Sequence, residues 1–289
     1  WKIVAYLQII FFFFVGDAHT IQVGMALKAR RHTAEQQKTL KLIIKFYCVY
    51  LSIFVICKIA GGVCALVLYH QKHYNTNLLI ATYVFDSISL GILIKSFSPM
   101  ITYFFEKRYE LNHGITPEIK YDPDYVAPKQ TILNPIKALT LILLAAVITS
   151  IVGTTSMTDS GSKTEYRTLI KVSSFLFLAG IILITLLLVS VVLYFGKSSY
   201  QFSQVLRTNA LILLAAMPLF FIRVIYSLLS AFSNANIAEG NITKYTLLFG
   251  QYEYYTFLAF IEECIISIII ILNMAIFNRN LEHLSIETS

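Results

Sequence analysis

Seven stretches of mostly apolar residues constrain the fold of this chain more than any other feature. They lie at residues 2–15, 42–68, 78–97, 136–152, 169–195, 208–232 and 252–277. A helix of about 20 apolar residues crosses the hydrocarbon core of a bilayer. Hydrophobic residues make up 57% of the chain and charged residues 13%, whereas about 25% of the residues in a soluble domain are charged. The sequence therefore predicts an all-α membrane protein in which residues 1–289 form a single seven-transmembrane helix bundle.

The first stretch is the shortest and permits a second interpretation. An apolar run of about a dozen residues near an N-terminus is also typical of a secretory signal peptide. However, no small-residue cleavage site follows the sequence FFFFVGDAH. We therefore expect a transmembrane helix here, with a signal peptide as the alternative.

The distribution of Lys and Arg predicts the orientation of the bundle. With the N-terminus outside, the inner segments hold 13 of these residues and the outer segments hold six. Since Lys and Arg favour the cytoplasmic side, we expect the N-terminus outside and the C-terminus inside. The sequon NIT at Asn241 then lies in the last outer loop, where a glycan can be added.

The net charge of +7 follows from this basic inner rim, which would face anionic lipid headgroups. Membrane lipids are therefore expected partners. The inner loops are candidate contacts for a cytosolic effector or for another membrane protein. Nucleic-acid binding is not expected, because the spans interrupt the positive charge. The expected location is the plasma membrane or an endomembrane.

Five ionisable residues lie well inside the predicted spans: Lys58, Asp86, Arg223, Glu262 and Glu263. Each costs roughly 2.5–3.5 kcal/mol at the centre of a bilayer and so needs a partner or water. Counted from the outer end of the span at about 1.5 Å per residue, four of them lie roughly 12–15 Å deep, namely Lys58, Asp86, Arg223 and Glu262. The sequence therefore predicts a charged layer inside the bundle.

Partners within this layer follow from chain order. Arg223 is expected to meet Glu262 or Glu263 on the next helix, and Lys58 to meet Asp86, because consecutive helices are antiparallel neighbours. Glu262 and Glu263 point about 100° apart, so one of them needs another partner or a proton. The layer is interpreted as a structural network, a ligand or ion site, or a contact between subunits.

Other residues of the spans predict packing rather than chemistry. Gly61, Gly62 and Ala65 permit close contact between helices, and Pro218 predicts a kink in the sixth span. The four cysteines, Cys48, Cys57, Cys64 and Cys264, all lie inside spans. We interpret them as buried apolar residues and expect no disulfide framework.

Two segments outside the spans have distinctive compositions. The inner segment at about 98–135 is interpreted as an irregular loop or a docking surface, because it contains Pro117, Pro123, Pro128 and Pro135. Tyrosines gather where the seventh span meets the outer face, at Tyr245, Tyr252, Tyr254 and Tyr255. We interpret them as anchors in the membrane interface, with a lid over a ligand as the alternative.

Enzymatic motifs are missing from the sequence. It contains no G-x-S-x-G and no G-x-x-x-x-G-K-[ST] pattern. The seventh span contains no Lys that would carry retinal, and Asp86 is the only Asp well inside a span. We therefore expect no enzymatic activity, no cofactor and no metal.

Three sequences, RVIYSLLSAF in the sixth span, KIAGGVCAL in the second and ISLGILIKSF in the third, resemble a fungal family of seven-helix membrane proteins. Its members are labelled as G-protein-coupled-receptor-like, and the resemblance implies a seven-helix bundle. We therefore expect a receptor-like bundle that binds a ligand near the charged layer. A non-catalytic accessory subunit of a membrane complex and a carrier of small solutes, protons or lipids are the alternatives.

Overall fold

A computed structural model describes residues 1–28, 34–71, 75–113, 134–156, 163–196, 201–233 and 243–287. Within these ranges the regular elements are all helical and no strand occurs. The helices are α1 (Lys2–Lys28), α2 (Ala34–His70), α3 (Thr76–Lys95), α4 (Ser98–His113), α5 (Asn134–Thr155), α6 (Lys163–Phe195), α7 (Gln201–Ala215), α8 (Met217–Phe232), α9 (Tyr252–Tyr255) and α10 (Ile261–Glu287). A π-helical turn, Thr256–Phe260, joins α9 to α10.

Seven helical segments of the described chain are long and apolar enough to cross a membrane. They are Lys2–Met25, Cys48–His70, Thr76–Leu111, Asn134–Thr155, Arg167–Phe195, Phe202–Phe232 and Tyr252–Asn280. These segments, called spans one to seven below, overlap the seven predicted stretches. The chain is therefore an all-helical, multi-pass membrane protein.

The first span is much longer than the short stretch predicted from the sequence. The apolar run FFFFV continues into a polar half that stays helical to Lys28. Two polar side chains of this half face neighbouring spans: Gln22 Nε2 donates to the Ile271 carbonyl at 2.8 Å, and His19 Nε2 lies 3.4 Å from the Cys48 carbonyl. Composition alone did not predict this half, because contacts with neighbouring helices accommodate the buried polar side chains His19 and Gln22.

The prediction of an irregular segment at 98–135 was wrong for its first part. Residues Ser98–His113 form α4, which continues the third span after a short break at Ser96 and Phe97. Met100, Ile101 and Phe104 are fully buried on one side of α4. This helix forms because Pro99 occupies its first turn, where a missing N–H is tolerated. The prolines Pro117, Pro123 and Pro128 lie outside the described residues, and Pro135 opens α5.

Two spans contain local breaks in the α-helix. The sixth is interrupted at Ala216, between α7 and α8, and Pro218 lies in the first turn of α8. This is the break that Pro218 predicted, because proline leaves an upstream carbonyl without its helical donor. In the seventh span, the π turn inserts an extra residue and rotates the following helix relative to α9.

Neighbouring spans pack in chain order, and the seventh closes the bundle. The largest interfaces join α2 to α3, α5 to α6 and α1 to α2, while α10 contacts α1, α7 and α8. Two glycines of α2 lie at these interfaces. A Cβ atom added to Gly62 would lie 2.8 Å from Ile9 of α1, and one added to Gly61 would lie 3.4 Å from Phe85 of α3. Ala65 is also buried, so these small residues lie where the second span meets its neighbours.

Candidate functional site

Four charged side chains from four spans form a closed ring inside the bundle: Lys58 of α2, Asp86 of α3, Arg223 of α8 and Glu263 of α10. Lys58 Nζ lies 2.9 Å from Asp86 Oδ1 and 2.5 Å from Glu263 Oε2. Arg223 Nη2 lies 2.6 Å from Asp86 Oδ2, and its Nε lies 2.7 Å from Glu263 Oε1. Each carboxylate therefore uses one oxygen for each cation, and the two positive and two negative charges cancel.

The charge ring is almost fully enclosed. The side chains of Lys58 and Arg223 are each 1% exposed and that of Glu263 is not exposed, whereas Asp86 is 19% exposed. In such surroundings an ion pair is screened little, and the loss of one partner leaves a charge without compensation. Asp86 is thus the one member of the ring with a surface accessible from outside it.

Neighbouring polar side chains bind the backbone of the ring residues. Ser89 Oγ donates to the Asp86 carbonyl at 2.7 Å, and Ser267 Oγ donates to the Glu263 carbonyl at 2.7 Å. On the first span, Gln8 Nε2 donates to the Lys58 carbonyl at 2.8 Å. These bonds add the first span to the four that carry the charges.

Two further hydroxyl groups extend the network. Ser227 Oγ accepts a hydrogen bond from Arg223 Nη1 at 2.9 Å. Tyr255 Oη donates to Gln8 Oε1 at 3.2 Å, and its ring is buried. The guanidinium of Arg223 is therefore bound on three sides, by two carboxylates and one hydroxyl.

The predicted charged layer agrees with this arrangement in its main contacts. Lys58 meets Asp86, and of the two candidate partners for Arg223 the structure selects Glu263. The structure adds two contacts that chain order did not predict, between Arg223 and Asp86 and between Lys58 and Glu263. These extra contacts close two separate pairs into one ring.

Glu262 lies beside the ring but takes no part in its ion pairs. It is 7% exposed, and within the described chain its Oε2 atom has no hydrogen-bond partner. In its ionised form this buried carboxyl group would carry a negative charge that the ring does not neutralise. It would then need a cation, and otherwise it holds a proton.

A cavity leads to the ring from one end of the bundle. Its volume is about 20 Å³, which is room for about one water molecule. Lys58 and Asp86 line its inner part, and the other lining residues include Trp1, Gln8, Cys57, Thr82, Leu248 and Tyr255. The exposed part of the ring is therefore reached through a mainly apolar space that is too small for an organic ligand.

Comparison with known proteins places the second half of the chain in a family. Residues 124–278, more than half of the 289 residues, match a family described as a domain of unknown function, DUF7702. The chain belongs to the DUF7702 family. The matched DUF7702 region holds Arg223, Glu262 and Glu263, whereas Lys58 and Asp86 precede it. No curated protein and no solved structure matches the chain.

The DUF7702 match does not show the fungal, G-protein-coupled-receptor-like relationship that the sequence resemblance implied. That relationship stays a prediction. Asn241, the predicted glycosylation site, lies outside the described residues. The four cysteines of this DUF7702 protein are free, in agreement with their interpretation as apolar residues of the spans.

Sequence reasoning missed Gln8, Ser89 and Ser267, which bind the backbone of the ring. The signal for Gln8 was its position as a polar residue within the apolar sequence AYLQIIF. No comparable signal marked the two serines, since serine is common in transmembrane helices and often bonds within its own helix.

Glutamine substitutions at the two adjacent glutamates should separate their roles. We expect Glu263→Gln to destabilise the folded protein by roughly 3–5 kcal/mol, because Lys58 and Arg223 each lose a buried partner. Glu262→Gln changes a buried carboxyl group that takes no part in the ring, so the stability of this variant should equal or exceed that of the wild type. Thermal unfolding in lipid nanodiscs, together with the folded yield, measures both effects. Equal losses in the two variants would contradict the assignment of Glu263 to the ring.

Proposed function

We propose that this DUF7702 protein is a receptor-like seven-helix bundle in which the charge ring is a reversible lock between two arrangements of the spans. The observation that carries the proposal is the composition of the ring. Spans one to three contribute the pair Lys58 and Asp86, and spans four to seven contribute the pair Arg223 and Glu263. Each half of the bundle therefore brings one neutral pair.

Two contacts cross between these halves, Lys58 to Glu263 and Arg223 to Asp86. If the halves separate, both crossing contacts break while each cation keeps the carboxylate of its own half. A buried charge without a partner is strongly destabilising, and this rearrangement creates none. Both arrangements are neutral, which is a requirement for two states of similar free energy.

A ligand would shift the balance by binding one arrangement more strongly than the other. The accessible surface of Asp86, at the inner part of the cavity, supports a ligand site at this carboxylate. The ring itself favours switching over catalysis, because its acids and bases neutralise one another and are enclosed. We therefore propose a non-enzymatic role, in which a cytosolic partner binds the inner loops in one of the two arrangements of the spans.

Spin-label distances test the lock with two double variants that both preserve neutrality. Lys58→Met with Asp86→Asn removes both crossing contacts, whereas Lys58→Met with Glu263→Gln leaves the crossing contact between Arg223 and Asp86. Labels are placed in a cysteine-free background at Leu111 and Gln204, exposed residues of the third and sixth spans. We expect the first variant to gain a second, longer distance, because only it frees the halves.

The second variant is the matched control and should keep the wild-type distance distribution. An unchanged distribution in both folded variants would contradict the lock. It would instead favour a fixed polar network of the kind an accessory subunit of a membrane complex uses for packing.

The orientation with the N-terminus outside is part of the proposal and is supported by the excess of Lys and Arg in the inner segments. In that orientation Asn241 faces the glycosylation machinery. We expect the protein expressed in eukaryotic cells to lose mass on treatment with an N-glycosidase, and Asn241→Gln to abolish that loss. A sequon introduced near Lys120 in the inner segment is the control. Glycosylation there instead of at Asn241 would reverse the orientation.

A carrier of protons or small cations is the second candidate, and Glu262 favours it. Within the described residues its Oε2 atom has no hydrogen-bond partner, and Glu262 takes no part in the ion pairs of the neutral ring. It can therefore accept and release one proton or cation without breaking the ring. We expect proteoliposomes to dissipate an imposed pH gradient, and Glu262→Gln to slow the dissipation at least ten-fold. Glu253→Gln, at an exposed glutamate of the same span, is the matched control. Equal flux in the two variants would exclude Glu262 as the carrier site.

A further inference from the structure

We propose that residues 243–251, called the lid segment below, close a binding site for a small organic ammonium ligand that competes for Asp86. The inference rests on the proposed lock and names the ligand class and the gate of the same site. Four observations support it: the position of the segment, the bonds that hold it, its backbone conformation and the charge of the site beneath it.

The lid segment is inserted into the end of the bundle rather than lying over it. Thr246, Leu247 and Leu248 are 2%, 5% and 5% exposed, and the two leucines line the cavity above Asp86. Movement of these leucines would widen the cavity. The path from this end of the bundle to the charge ring therefore passes the lid segment.

Trp1 and tyrosine side chains from three helices hold the lid segment through its backbone carbonyl groups. Trp1 Nε1 donates to the Gly250 carbonyl at 2.9 Å, and Tyr83 Oη donates to the Leu247 carbonyl at 3.2 Å. Tyr226 Oη donates to the Tyr245 carbonyl at 3.3 Å, and Tyr69 Oη donates to the Leu248 carbonyl. The segment is thus attached by a few individual bonds, each removable without disturbing the helix that supplies it.

The lid segment also has its own internal structure and a strained residue. Gly250 N donates to the Thr246 carbonyl at 2.7 Å, and Gln251 N donates to the Lys244 carbonyl at 3.0 Å. Leu248 has a φ of 68°, a conformation that is rare for a bulky residue and persists only when its surroundings enforce it. The residue at the centre of the lid is therefore held in place by its bonds and would relax when they open.

The charge and shape of the site define the ligand class. Asp86 is the accessible charge of the ring, so the cavity presents a carboxylate surface to what enters it. The rings of Trp1 and Tyr255 form part of its wall, with centroids 5.3 Å apart. A carboxylate beside aromatic rings is the combination that binds organic ammonium groups. Such a cation at Asp86 would compete with Lys58 and Arg223, and so would weaken the crossing contact between Arg223 and Asp86.

The closed cavity admits about one water molecule, so an organic cation requires displacement of the lid. Cys57 lies in the cavity wall and reports on this displacement. In a background where the other cysteines are replaced by serine, we would measure how fast 2-aminoethyl methanethiosulfonate modifies Cys57. Tyr69→Phe combined with Tyr83→Phe removes two of the bonds to the lid, and we expect modification to become at least ten-fold faster.

Two controls make this result specific. Tyr6→Phe removes the hydroxyl group of an exposed tyrosine of the first span that is not one of the residues holding the lid segment. It should leave the rate of Cys57 modification unchanged. In a second background that keeps only Cys264, which is buried and does not line the cavity, the two lid substitutions should have no effect. If the lid substitutions leave the rate of Cys57 modification unchanged, or accelerate Cys264 modification equally, the lid proposal is overturned.

The ligand class is tested in the same assay with choline and with its neutral isostere 3,3-dimethylbutan-1-ol. We expect millimolar choline to protect Cys57 at least five-fold in the lid-released protein and the isostere to give no protection. Equal protection by both compounds, or none by choline, would overturn the ammonium site. These readings do not depend on rearrangement of the spans. If the lid proposal is correct and the lock proposal is wrong, the spin-label distances stay unchanged while the modification of Cys57 becomes faster.

Discussion

The four charges of the ring constrain the bundle more than any other interaction in the described chain. Three of them are buried and Asp86 is 19% exposed, and each depends for neutralisation on side chains from two other helices. An ion pair in such surroundings contributes less to net stability than its short distances suggest, because removing both charges from water is unfavourable. Its main effect is on specificity, since any rotation or shift of the second, third, sixth or seventh span would separate a charge from its partner.

Much of this arrangement follows from the sequence, because a transmembrane helix fixes the depth of its residues. Counting from the span ends placed Lys58, Asp86, Arg223 and Glu262 at one level. Helix order predicted the pair of Lys58 with Asp86, and left Glu262 and Glu263 as candidate partners of Arg223. The crossing contacts were not predictable in this way. They join spans distant in the sequence, and only the closure of the bundle, through contacts of α10 with α1, α7 and α8, brings those spans together.

Local irregularities limited the prediction elsewhere. The choice between Glu262 and Glu263 depends on the rotation of α10, which the π turn at Thr256–Phe260 changes by about one residue. Nothing in the sequence TFLAF marks that turn. The lid segment was read as part of an outer loop because its order comes from tyrosine side chains on distant helices. The tyrosines of the lid segment and of α9 were interpreted as interface anchors, yet Tyr255 is buried against Trp1 and Tyr226.

The matched family region clarifies why the ring is built as two pairs. Residues 124–278 contain Arg223 and Glu263 and thus one complete neutral pair. The preceding spans contribute the other, so neither part of the chain places a net ring charge in the membrane during insertion. If one half carried both cations and the other half both carboxylates, neither half would be neutral until the two had assembled. Neutral halves joined by crossing contacts allow the spans to insert first and to associate afterwards. The same property would allow the assembled halves to separate and rejoin without exposing an unpaired charge to lipid.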